Sequence, residues 1–116
     1  MPSKTPAADL FEMRKAMDRI AAYIDRLDEA AFCASLIAYD AVLMNLIVIG
    51  EAANRLPRDI TATEQSIPWG DVIGMRNRIA HGYEDVRPKR IWDTIQNDLP
   101  PLRAAVERLL GAFDPP

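Results

Sequence analysis

The chain has 116 residues, nearly half of them hydrophobic and about a quarter charged, with a formal charge of -3. That length suits a single domain spanning residues 1–116 with one core, and the net negative charge argues against a protein that grips nucleic acid by its overall field. One cysteine, Cys33, excludes an internal disulfide; with one histidine beside it, a transition-metal site within one chain is not expected. No cofactor is expected.

The first expected helix runs from about Ala7 to Leu27. Leu10, Met13, Met17, Ile20, Ile24 and Leu27 recur every three or four residues, a seam that faces a partner helix. A short helical segment follows, around Ala30 to Leu36, with Cys33 as a small apolar filler. The second long helix covers about Ala38 to Leu56. It is apolar all round in its first half, then turns polar at Glu51, Asn54 and Arg55, and Pro57 stops it. Its longest apolar stretch, Ala41 to Gly50, is interrupted by Asn45 and falls well short of the ~20 residues that span a bilayer. It reads as the central buried helix of a cytoplasmic protein with no membrane segment. Residues 57–66 read as a loop with room for one helical turn.

The third helix starts near Ser66, with Pro68 in its first turn, and runs to His81, where Gly82 is placed as the C-terminal cap. A fourth helix begins near Pro88, with Ile91, Trp92 and Ile95 on its apolar side. Pro100 and Pro101 are expected to kink or break it before a closing amphipathic helix through Leu110. No segment reads as a strand. The fold class is therefore all-α, an antiparallel bundle of four to five helices with short connections.

The third helix carries an anomaly. At about 100° per residue, Trp69, Val72, Ile73, Ile79 and Ala80 form one apolar stripe, and Arg76 falls in its middle. A permanent charge facing a core is costly unless it is paired. Two explanations stand side by side: an internal ion pair, for which Glu51 is the nearest candidate, or a stripe that faces a second chain or a cleft where Arg76 binds an anion. His81 sits at the C-terminal end of this helix, one turn beyond Asn77, so the two share a face. Chemistry that needs two histidines would need a second chain. Residues 76–90 also hold five cations, Arg76, Arg78, Arg87, Lys89 and Arg90, against Glu84 and Asp85. That is +3 locally, leaving -6 for the rest of the chain. Arg78, Arg87, Lys89 and Arg90 are thus candidate contacts to an anion such as phosphate, or else a solvated loop face. Trp69 and Trp92 read as core or interface anchors.

RNRIAHGY at 76–83 matches the Arg-x4-His-x-Tyr signature of HEPN domains. The wider string IPWGDVIGMRNRIAHGYEDV, with AVLMNLIVIGEAANRLP at 41–57 and IWDTIQNDLP at 91–100, resembles the HepT-like branch of that superfamily over about Leu10 to Leu110. The resemblance implies a two-fold homodimer of helical bundles with facing motifs, and a metal-independent endoribonuclease in which Arg76 and His81 are catalytic and Asn77 and Glu51 support them. It also implies the toxin of a toxin-antitoxin pair. The partner would be an MntA-type nucleotidyltransferase that adds AMP to the motif tyrosine, Tyr83. The competing expectation is a non-catalytic subunit that binds nucleotide or RNA for that partner. The intact Arg76, Asn77 and His81 favour the enzyme.

Overall fold

The computed structural model describes residues 5–113. Seven α-helices run through them: α1 (Pro6–Ile24), α2 (Glu29–Ala34), α3 (Leu36–Arg55), α4 (Arg58–Thr61), α5 (Trp69–Gly82), α6 (Pro88–Asn97) and α7 (Leu99–Gly111), with a 3-10 turn at Tyr83–Asp85 between α5 and α6. There is no strand among the described residues. α1 and α3 pack along most of their lengths, α5 lies on the outer side of α3, α7 lies on α1, and α6 bridges α2 and α7.

Local chemistry sets most of these boundaries. Thr5, Asp28 and Ser35 open α1, α2 and α3, each accepting a hydrogen bond from the backbone N–H three residues on, at 3.2, 2.8 and 3.1 Å. Pro57 ends α3 in extended backbone. The seam Leu10, Met13, Met17 and Ile20 is fully buried against Val42, Leu46 and Ile49 of α3. Leu27, expected as its last member, lies beyond the end of α1 and only flanks the core. α3 is long and apolar enough to cross a membrane by composition, but more than half of that stretch is buried inside the bundle. Its buried Asn45 donates its side-chain N–H back to the Ala41 carbonyl at 2.9 Å, so the polar group within the apolar run is satisfied. Asp9 of α1, 1% exposed, accepts from Arg55 of α3 at 2.9 Å and locks the register of the two helices.

Three expected boundaries move. α5 begins at Trp69 with Pro68 just outside it, because the segment before it is pinned: the Trp69 indole N–H donates to the Thr61 and Glu64 carbonyls at 3.2 and 3.1 Å. Gly82 is not a left-handed cap. Its φ is -130°, and the chain tightens straight into the 3-10 turn. The break between α6 and α7 falls at Asp98, before Pro100 and Pro101, which sit in the first turn of α7 where a missing N–H costs nothing. Cys33 is exposed, not a core filler.

Candidate ribonuclease site

α5 carries the motif, and only one of its faces is covered. Met75 and Ile79 are buried, Val72, Ile73 and Trp69 are partly covered, and Ala80 is exposed. The apolar stripe is therefore centred on Met75 and Ile79, not on Arg76. Arg76 stands at its flank, over Gly50 of α3. A Cβ on Gly50 would lie 2.6 Å from the Arg76 Cβ and 3.2 Å from the Val72 carbonyl oxygen, so the two helices touch backbone to side-chain root at this point.

At that contact the Arg76 guanidinium meets Glu51. Its Nε donates to the Glu51 carboxylate, and one terminal nitrogen donates to the Asn77 side-chain oxygen at 2.8 Å. Both side chains of the pair remain over a third exposed (36% and 40%), so the cost of a buried charge does not arise. The expected internal partner is thus the observed one. The pair is also open: a recess of about 200 Å3 is lined by Gly50, Glu51, Asn54, Ile73, Arg76 and Asn77.

His81 is exposed and lies about 140° round α5 from Arg76, with Asn77 between them. It lines a second recess, of about 300 Å3, with Ala80, Gly82, Tyr83, Glu84 and Asp85. In one chain, then, Arg76 and His81 occupy neighbouring recesses on the outer side of α5 rather than one cleft. Both carboxylates counted along 76–90, Glu84 and Asp85, line the recess of the histidine.

Tyr83 is half exposed, and its hydroxyl donates to Asp40 of α3 at 3.3 Å. The negative charge of Asp40, with slight desolvation and that hydrogen bond, raises the Tyr83 pKa above its ordinary value. Tyr39 beneath it donates to the Val86 carbonyl at 3.1 Å, and burial raises its pKa too. These two bonds tie the 3-10 turn to α3. The Tyr83 hydroxyl is accordingly directed at α3. Asp40 itself was invisible as a site residue, because nothing in its local sequence sets it apart.

The cations expected to hold phosphate divide. Arg78, Arg87 and Arg90 line one cleft between α5 and α6, whereas Lys89 points elsewhere and pairs with Asp93 and Glu29 at 3.3 and 3.6 Å.

The profile of the HepT-like ribonuclease family matches residues 13–109. The chain belongs to that family. Among its relatives, a Methanocaldococcus jannaschii protein provisionally named RNase MJ0125 is 29% identical over 110 residues, covering 95% of both chains. The probable ribonuclease HepT of Thermococcus cleftensis is 35% identical over 69 residues, 60% of this chain and 63% of its own. A provisionally named RNase of Caldanaerobacter subterraneus is 34% identical over 70 residues, 60% of this chain and 62% of its own. No solved structure matches the chain. The recesses around Arg76 and His81 therefore belong to a HepT-like ribonuclease domain.

Proposed function

We propose that the chain is a cytoplasmic endoribonuclease that cuts RNA through Arg76 and His81 and works as a two-fold dimer. The observation that carries this reading is the outer face of α5. It presents an arginine, an asparagine and a histidine to solvent, with Arg76 held in place by Glu51 yet still open to an anion. A second observation favours the dimer. α3 exposes Leu36 (67%), Ile37 (86%) and Met44 (60%). Ile37, Ala41, Met44 and Val48 lie along one stripe that ends at Glu51, beside the Arg76 recess. Exposed apolar side chains in such a row mark a protein interface, and a self-complementary interface between two copies brings two Arg76–His81 sets together.

In the dimer one His81 accepts the proton of the RNA 2'-hydroxyl as its oxygen attacks the adjacent phosphorus. The second His81, protonated, gives its proton to the departing 5'-oxygen as the P–O bond breaks. Arg76 stabilises the charge on the phosphorane, with Asn77 and Glu51 fixing its direction. The products are a 2',3'-cyclic phosphate and a 5'-hydroxyl. As a toxin, the chain is paired with an MntA-type nucleotidyltransferase that transfers AMP from ATP to Tyr83: the phenol oxygen bonds to the α-phosphorus as the α–β phosphoanhydride breaks, releasing pyrophosphate and the hydroxyl proton. Tyr83 also lines the His81 recess, so an adenylate attached in place of its hydrogen bond to Asp40 lies close to His81 without any long-range change. A single-stranded RNA incubated with the purified chain should yield fragments ending in 2',3'-cyclic phosphate and 5'-hydroxyl. Fragments with 3'-hydroxyl and 5'-phosphate ends would contradict the mechanism.

A further inference from the structure

On the other flank of α5 the chain builds a second charged cleft. α5 rests on α3 and makes little contact with α6, which leaves an opening of about 190 Å3 between α5, the 3-10 turn and α6. Arg78 enters it from α5, and Arg87 and Arg90 from the start of α6. Its floor is apolar, formed by Met75, Ile79 and Ile91, all buried. None of these three arginines makes a salt bridge among the described residues, although Asp85 also borders the cleft. Elsewhere among the described residues Arg14, Arg55, Arg76, Arg103 and Arg108 each make an ion pair, while Arg19, Arg26 and Arg58 do not; what sets Arg78, Arg87 and Arg90 apart is that they line one cleft. Three guanidiniums around one apolar floor, with Asp85 the one carboxylate among the lining residues, leave an excess of positive charge that an incoming anion relieves.

The ligand is constrained by shape and chemistry. Guanidiniums favour phosphate because their forked donors match its oxygens. The apolar floor suits a sugar or base edge, which a bare inorganic anion lacks. The volume lies below the ~300 Å3 at which pockets enclose whole small molecules, so the cleft takes one phosphate and part of its nucleoside rather than a complete cofactor. Arg78 lies about 60° round α5 and one turn from His81. The cleft is also on the side of α5 away from the apolar stripe of α3, so a dimer formed on that stripe leaves it open.

We propose that this cleft is an RNA phosphate subsite, separate from the Arg76 recess, that holds one nucleotide of a single strand while the strand crosses the outer face of α5 past His81. Lys89, although adjacent in sequence, is not part of it. The inference rests on the ribonuclease reading for its ligand, and the two can fail separately.

The test measures binding of a fluorescein-labelled single-stranded RNA to the full chain carrying His81→Ala, which keeps the RNA intact, with and without Arg78→Gln and Arg90→Gln. Both arginines are exposed, and unchanged circular dichroism checks the fold. Loss of the two should weaken binding roughly tenfold or more at moderate salt and lower the slope of log K against log salt by about 1.4. Lys89→Gln should change neither. In the chain with His81 intact, the same pair should raise KM for a long strand and leave kcat in place. Affinity and salt slope equal to the parent's would overturn the subsite. So would equal competition by polyglutamate of matched charge, which would make the cleft a general anion surface. RNA cleavage that proceeds with unchanged KM in the double variant would sink the subsite and leave the ribonuclease standing. Arginine-dependent RNA binding by a chain that never cuts would do the reverse.

Discussion

Arg76 shows how one charge serves two demands. Its stem lies against α3 over Gly50, and its guanidinium is held from both sides by Glu51 and Asn77 while still more than a third exposed. A guanidinium fixed in direction before the anion arrives loses less freedom on binding it. Tyr83 is held in a comparable way by Asp40, whose negative charge is the largest cause of its raised pKa. The sign follows directly: a carboxylate beside a phenol opposes formation of the phenolate, so the hydroxyl stays protonated to higher pH than in a free tyrosine. Asp40→Asn should move the Tyr83 titration down toward about 10, followed by NMR of ring-labelled tyrosine. Tyr39 should follow in the same direction by less, since burial is its main cause. A Tyr83 titration unchanged in the variant would show that the turn is not tied to α3 through this bond.

At the scale of elements, the pairing of α3 with α5 places the site, and Gly50 permits that pairing. Gly50→Ala puts a methyl against the Arg76 Cβ and the Val72 carbonyl; neither can move without its helix. We expect a loss of about 1–3 kcal/mol in denaturant unfolding, together with a drop in RNA cleavage larger than Ala substitution at the half-buried Gly74 brings. Gly74 has only the tip of Arg78 nearby, at 3.7 Å. Much of this level was legible in the sequence. The 3.6-residue periodicity gave the helices to within a few residues, and the switch from apolar to polar at Glu51 marked the partner of Arg76. The stripe on α5 was misplaced because Met75 was left out of it and Ala80 put in; burial by α3 decides the face, and local spacing does not. The Asp40–Tyr83 bond and the sorting of Arg78, Arg87 and Arg90 from Lys89 were not legible. Each depends on how α5, the turn and α6 return past α3, a property of the tertiary path.

For the whole molecule, the described residues form a bundle about 43 Å long and 26–30 Å across, with one side of α3 and α5 carrying both exposed apolar side chains and motif residues. A chain with a single histidine cannot supply both a general acid and a general base of that type. The proposed dimer resolves this by symmetry, and it sets a quantitative expectation for mixed subunits. The most direct test is RNA cleavage, in EDTA throughout, by wild-type chain and His81→Ala chain unfolded together, refolded in varied proportions and assayed at constant total concentration. If both His81 side chains of a dimer act in one cleavage, only all-wild-type dimers cut, and activity falls as the square of the wild-type fraction, to roughly a quarter in an equal mixture. The His81→Ala chain alone should be inactive. Activity that falls in direct proportion to the wild-type fraction, or a His81→Ala chain that still cuts while EDTA stops the wild type, would contradict the account.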